Sequence, residues 1–257
     1  MAELAALIFD VDGTLADTER DGHRVAFNRA FADAGLDWQW SVALYGKLLA
    51  VTGGKERIRH YLDHYNTQFQ RPTDLDAFIA GLHAAKTEHY TQMLSEGLIP
   101  LRSGVRRLLQ EARDAGLRLA IATTTTPANV SALLQYSLAP DATDWFEVIA
   151  AGDVVPAKKP APDIYDWAMQ KMGLSPESCL ALEDSHNGLR SAQQANIASI
   201  LVTTNSYTAE DDFTGASLVV DRLGEPGEPF QVQRGEAHGH DYVDLALLRA
   251  LHESHAG

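Results

Sequence analysis

The sequence predicts an α/β fold built on a mainly parallel sheet, with a helical insert placed early in the chain. Three observations carry this: short apolar runs that end abruptly in polar residues, helical stripes between those runs, and a stretch from about residue 18 to residue 96 that contains no such run.

The run Leu4-Ala5-Ala6-Leu7-Ile8-Phe9 is continuously apolar and stops at Asp10, the pattern of a strand covered on both faces. Thr18 to Glu96 then breaks the alternation of strand and helix. Its stripes, such as Leu75, Phe78, Ile79 and Leu82, are helical, and its length exceeds that of a loop. A helix follows with Val105, Leu108, Leu109 and Ala112 on one face, and Gly116 is placed to end it. Three more apolar runs read as buried strands: Leu117 to Ala122, Cys179 to Leu182 and Ser199 to Val202. A helix start is expected at Ser185 to Asn187. Leu223 to Pro229 is rich in turn residues, and a last helix carries Val243, Leu247, Leu248 and Leu251 on one face. The expected organisation is a core of residues 1–17 and 97–257 and an all-helical cap of residues 18–96.

The 257 residues are 45% hydrophobic and 22% charged, a globular composition that excludes a mainly disordered chain. The single cysteine, Cys179, cannot form an internal bridge. A formal net charge of −14 at pH 7 disfavours nucleic acid and anionic lipid as partners. No targeting or membrane-spanning run is visible, so a cytoplasmic protein is expected, with an organellar form after removal of a transit peptide as the alternative.

Polar residues collect where the apolar runs end, at the sheet edge that binds ligands in open parallel sheets. Asp10-Val11-Asp12-Gly13-Thr14 follows the first run, and its two carboxylates share a direction if the strand continues. Thr123 and Thr124 follow the second, offering hydroxyls and backbone N–H groups to an oxyanion. Lys159 precedes Pro160, and Glu183-Asp184 follows Leu182. Each segment alone has an ordinary reading: a solvated turn, a helix cap, a surface lysine or acid at a helix start.

Together, in this order, they resemble the haloacid-dehalogenase superfamily, whose ordered motifs are DxDGT, a strand ending in Thr or Ser, Lys before Pro, and a late acidic pair. The resemblance implies a Rossmann-like core and a Mg²⁺-dependent phosphoryl transferase. Asp10 would attack phosphorus and Asp12 would act as acid and base. Mg²⁺ would be held by Asp10, the backbone carbonyl of Asp12 and Asp184, with Glu183 as a direct or water-mediated ligand. Thr123, Thr124 and Lys159 would hold phosphoryl oxygens, with Lys158 the lesser candidate because it does not adjoin the proline. One departure is Asn196, where relatives often have glycine; asparagine tolerates left-handed backbone.

The insert follows the first motif, so a lid over the reacting centre is expected. Its Asp17-Thr18-Glu19-Arg20-Asp21-Gly22-His23-Arg24, Gly53-Gly54-Lys55-Glu56-Arg57 and Lys86 segments resemble the β-phosphoglucomutase-like branch, and within it the CbbY type. The first of these is one residue longer than the common Asp-Thr-Glu-x-x-His pattern. The resemblance implies hydrolysis of xylulose 1,5-bisphosphate to xylulose 5-phosphate, a role in clearing a sugar bisphosphate that inhibits Rubisco. Glu19 and His23 would meet sugar hydroxyls. Gly53, Gly54, Lys55, Arg57, Lys86 and Arg102 would serve a second phosphate. Trp38, Trp40 and Tyr45 read as cap core. A phosphosugar mutase uses the same aspartate pair, and phosphoglycolate-type hydrolysis is a third option. A non-catalytic binding module is disfavoured because Asp10, Asp12 and the acidic pair are all retained. A monomer acting on a small phosphorylated sugar is expected.

Overall fold

The structure is a computed structural model that describes residues 2–51 and 53–255. The chain divides into two compact units, residues 1–17 with 100–257 and residues 18–99. The helical unit thus runs to Ile99 rather than 96, because Ile99 is fully buried and lies where a side chain on Gly22 would have to pass.

The first unit is a sheet of β1 (Ala6–Phe9), β2 (Arg118–Thr123), β3 (Val148–Ala151), β4 (Cys179–Glu183), β5 (Ser199–Thr203), β6 (Leu218–Val220) and β7 (Val232–Gly235). Its order is β3-β2-β1-β4-β5-β6-β7, and only the β6–β7 pair is antiparallel. The chain winds outward from β1 through β2 to β3, then crosses to β4 on the other side. Loops diverge at such a crossing, which opens a crevice at the carboxyl ends of β1 and β4.

β1 is buried throughout, as its unbroken apolar run requires. Ala6 and Ile8 face a core shared with Ala120, Ala122, Ala150 and Ala181, against which α7 (Asp163–Met172) and α8 (His186–Gln194) pack. Small side chains on this face let the helices lie close. Alternation sends Leu7 and Phe9 to the other face, on the side of α5 (Val105–Asp114) and α9 (Leu245–His255). α5 ends as its sequence predicts: Gly116 has φ 74°, and Leu117 N–H donates back to Ala112 at 2.9 Å. α6 (Pro127–Leu133) begins after Thr126, whose hydroxyl accepts from Asn129 N–H. Ser185 caps α8 by accepting from Gly188 N–H at 3.2 Å, and Asn196 takes the left-handed conformation with φ 62°. β3, β6 and β7 escaped the sequence reading; β6 is short and β7 is an exposed edge strand, so neither carries a long apolar run.

The second unit contains a π-helical turn at Thr18–His23, then α1 (Arg24–Asp33), α2 (Val42–Leu48), α3 (Gly54–His64) and α4 (Leu75–Ser95). Its core is aromatic. Phe27, Phe31, Trp38, Trp40 and Tyr45 form tilted and edge-to-face pairs with ring centroids 4.7–6.2 Å apart. Asn28 pins Trp40 by bonding both its N–H and its C=O, at 2.8 and 3.0 Å. Trp38, Trp40 and Tyr45 are buried, in agreement with the cap-core reading. Among the described residues no helix is long and apolar enough to cross a membrane.

Candidate active site

Strand register puts the polar strand ends side by side. Phe9 pairs with Leu182, so the next residues, Asp10 and Glu183, are level, and Asp10 N–H donates to Leu182 C=O at 3.0 Å. Thr123 closes β2 on the other side of β1. The strand does not continue past Phe9, contrary to the condition on which Asp10 and Asp12 would share a direction. Residues 11–16 instead fold into a tight turn, with Leu15 N–H donating to Val11 C=O at 2.9 Å and Gly13 N–H to Ala16 C=O at 2.7 Å. Asp12 stands in that turn, so its position follows from turn geometry and not from strand alternation. Gly13 has φ 90°, and a side chain there would collide with the Asp184 carboxylate and the Asn205 amide.

Asp10, Glu183 and Asp184 are buried, and each offers a carboxylate oxygen within 4.8 Å of the others. Lys159 joins them, with its ammonium 2.7 Å from Asp10 Oδ1 and 2.6 Å from Glu183 Oε1. Lys158 instead turns outward to Asp153 at 2.6 Å. Burial works to lower the Lys159 pKa, but Asp10 and Glu183 outweigh it and raise it, so this lysine is a fixed cation. Burial pushes the Glu183 carboxyl up to about 7 and lifts Asp184 well above the usual carboxylate range, with the Asp10 charge adding to both. Three carboxylates thus meet one lysine, and their mutual repulsion works with burial against ionisation of Glu183 and Asp184. Glu183 Oε2 is buried without a hydrogen-bond partner. Thr123 is buried, and its hydroxyl accepts from Thr125 N–H at 3.3 Å, whereas Thr124 is exposed.

Three supporting residues were missed. Tyr165, in the first turn of α7, donates its hydroxyl to Glu183 Oε1 at 2.5 Å. Asn205 donates Nδ2–H to Asp184 Oδ2 at 2.7 Å. Gly188 leaves space for Glu183, whose carboxylate occupies the place of the missing side chain. The Asn205 signal was present: Thr203-Thr204-Asn205 is another polar group directly after an apolar strand.

In the helical unit, Glu19, His23, Arg57 and Lys86 form one network with Tyr45. Tyr45 hydroxyl donates to Glu19 Oε2 at 2.6 Å and accepts from Arg57 Nη1–H at 2.8 Å. Lys86, buried on α4, places its ammonium 2.9 Å from His23 Nδ1 and 5.2 Å above the rings of Phe27 and Tyr90. An ammonium can only donate, so His23 Nδ1 accepts and the imidazole proton lies on Nε2. Burial, reinforced by Lys86 and Arg57, pushes the His23 pKa down to about 4 despite the neighbouring Glu19. Burial opposes ionisation of Glu19, but His23, the Tyr45 hydroxyl, Arg57 and Lys86 together outweigh it and lower its pKa. Glu19 and His23 both lie in the π-helical turn Thr18–His23. Arg57 Nε is buried without a hydrogen-bond partner. Gly53 and Gly54 open α3, with Gly53 at φ 93°, and Lys55 is exposed.

Arg102 corrects an expectation. Its guanidinium is closed in by backbone carbonyls of Gly13, Thr203, Thr204 and Asp221, which occupy donors that a second phosphate would need.

The haloacid dehalogenase-like hydrolase model matches residues 4–196. The chain belongs to that family. Its members similar to this chain include the plasmid CbbY protein of Cupriavidus necator, 49% identical over 97% of each chain. The crystal structure of CbbY from Rhodobacter sphaeroides in complex with phosphate superimposes with a TM-score of 0.71, at 47% identity over 85% of this chain and 94% of that one. A mutant of the same CbbY in complex with xylulose-(1,5)bisphosphate gives 0.70, at 46% identity over the same shares. The haloacid dehalogenase-like chain described here is accordingly a phosphatase of CbbY type.

Proposed function

We propose that the phosphatase is Mg²⁺-dependent and converts xylulose 1,5-bisphosphate to xylulose 5-phosphate through an aspartyl-phosphate on Asp10. The observation that carries the chemistry is the Asp10–Lys159–Glu183–Asp184 cluster at the carboxyl edge of the sheet. The substrate rests on the likeness to the CbbY that binds xylulose-(1,5)bisphosphate.

The donor set fits Mg²⁺: all ligands are oxygen, the carboxylates converge, and Glu183 Oε2 lacks a partner. Asp10, Asp184, the Asp12 carbonyl and Glu183 would hold the ion, which when bound offsets the charge of the carboxylates and phosphoryl oxygens. An Asp10 carboxylate oxygen attacks phosphorus, and the bond from phosphorus to the sugar oxygen breaks. Asp12 gives that oxygen its proton. Asp12 then takes a proton from water, whose oxygen attacks phosphorus and releases inorganic phosphate from Asp10. Lys159 steadies Asp10 and offsets charge on the phosphoryl group, with Thr123 and Thr124 as donors.

The helical unit supplies recognition. Glu19 and His23 meet sugar hydroxyls. Lys86, Lys55, the first turn of α3, which no side chain caps, and the unpaired Arg57 Nε suit the second phosphate. Arg102 is left out of this set.

The test is Mg²⁺-dependent phosphate release from xylulose 1,5-bisphosphate beside ribulose 1,5-bisphosphate, β-glucose 1-phosphate and phosphoglycolate, with Asp10→Asn as blank. Preferential release from xylulose 1,5-bisphosphate, lost in the blank, is expected. Release only from another ester keeps the Asp10 chemistry and removes the substrate. Conversion of β-glucose 1-phosphate to glucose 6-phosphate without release makes the chain a mutase.

A further inference from the structure

We infer that Arg102 is a positioning residue that locks the turn after β1 to the loop after β5, and so holds the Asp10–Asp12 turn in place against Asp184. The inference rests on the reading of these aspartates as the reacting and metal-holding groups.

Arg102 lies where the chain re-enters the sheet unit. Leu101 bridges Ala16, and Arg102 N–H donates to Leu15 C=O at 2.9 Å, so its backbone is already fixed to the far end of the turn. Its side chain is 9% exposed. Nη1 donates to Gly13 C=O, to Thr203 C=O at 3.2 Å and to Thr203 Oγ1 at 3.1 Å. Nη2 donates to Thr204 C=O at 2.5 Å and to Asp221 C=O at 2.9 Å. Nε lies 3.6 Å from Asp17 Oδ1.

These acceptors come from the turn after β1, from the last residue of β5 and from the residues that follow β5 and β6. Buried carbonyls of this kind need donors. The planar guanidinium reaches several at fixed angles, which a single ammonium cannot.

The consequence for the site runs through Gly13 and Asn205. The carbonyl that Arg102 holds belongs to the residue after Asp12. A side chain on Gly13 would strike both the Asp184 carboxylate and the Asn205 amide, so these groups are packed against one another. Asn205 follows Thr204, which Arg102 also holds, and Asn205 in turn donates to Asp184. One guanidinium thus fixes both sides of the contact between the aspartate turn and Asp184. Releasing it frees both loops at once.

The test compares wild type with Arg102→Met and Arg102→Lys. It uses xylulose 1,5-bisphosphate and the small ester p-nitrophenyl phosphate, with Mg²⁺ binding measured separately by calorimetry. Expected is a fall in kcat of about 10- to 100-fold by the same factor on both esters, since misplacement acts on the chemical step. KM should stay within about threefold, because ground-state binding is untouched. Mg²⁺ affinity should weaken by about 10-fold or more, as for loss of a group that orients metal ligands, with Lys recovering part of each effect. A KM rise confined to the bisphosphate, with p-nitrophenyl phosphate unaffected, overturns the inference and returns Arg102 to the second phosphate. Wild-type kinetics and Mg²⁺ affinity in a folded variant overturn it as well. Thermal melting reports folding, and if Arg102→Met does not fold at assay temperature the same criteria are applied to Arg102→Lys. If wild type hydrolyses neither ester, the functional reading fails, while calorimetry of the variants still decides the role of Arg102.

Discussion

Glu183 is the most constrained carboxylate of the site, and its partners show how little slack there is. Lys159 and Tyr165 share Oε1, while Oε2 faces the gap left by Gly188. Tyr165→Phe leaves a buried carboxylate with one donor fewer, and the loss of a hydrogen bond to a charged group costs about 1.5–3 kcal/mol. Urea unfolding should register that decrease; an unchanged midpoint would show that the Tyr165 hydroxyl contributes nothing to the fold. His23 offers a second residue-level prediction. Its pKa of about 4 lies below that of an exposed histidine, so the imidazole stays neutral at physiological pH and continues to accept from Lys86. The sign for stability follows: the unfolded chain binds the proton more readily, so this group removes stability as pH falls from about 6.5 toward 4. NMR titration of the His23 ring should give a midpoint near 4. A midpoint near 6.5 would mean that the buried network is absent in solution.

At the scale of elements, the site is made of strand ends and helix starts. α8 begins at the residue after Ser185, and its first turn must pass beside Glu183 at Gly188, where any side chain would meet the carboxylate. Gly188→Ala therefore has to displace Glu183 or tilt the helix, and overpacking of this kind costs about 1–3 kcal/mol. The variant should lose thermal stability and Mg²⁺ affinity together; loss of neither would mean that the gap is looser than the structure has it. The start of α3 carries a different prediction. Lys55 is exposed beside the Gly53–Gly54 turn, so Lys55→Ala should leave the melting temperature unchanged. It should lower kcat/KM on the bisphosphate far more than on p-nitrophenyl phosphate; equal losses would remove its role at the second phosphate. Legibility also divides by element. β1, β2, β4 and β5 were readable because both faces are buried and each is mainly apolar, with Arg118 and Ser199 only at the starts of β2 and β5. β7 is exposed along its whole length, so nothing in its composition sets it apart from a loop.

For the whole molecule, the net charge of −14 opposes the approach of a doubly phosphorylated sugar at long range. The cations that would receive it are local and partly buried, and such short contacts are screened less than the distant field. Raising salt from about 10 to 150 mM shortens the screening length from roughly 30 to 8 Å. The bisphosphate kcat/KM should therefore rise over that range, and more steeply than that of p-nitrophenyl phosphate. A fall would mean that local cations govern encounter.

The sequence alone determined the α/β class, the helical insert, and Asp10, Asp12, Thr123, Lys159, Glu183 and Asp184 as the residues to test. It could do so because buried strands are mainly apolar runs, and the polar residue that ends each one is visible in the chain. Tertiary structure alone decided what those residues touch. Lys159 rather than Lys158 reaches Asp10, Tyr165 and Asn205 hold the acidic pair, and Arg102 turns from an expected phosphate ligand into a clamp on backbone carbonyls. Arg102 lies far along the chain from Thr203, Thr204 and Asp221. Its partners are set by strand order and register, which only the folded sheet brings together.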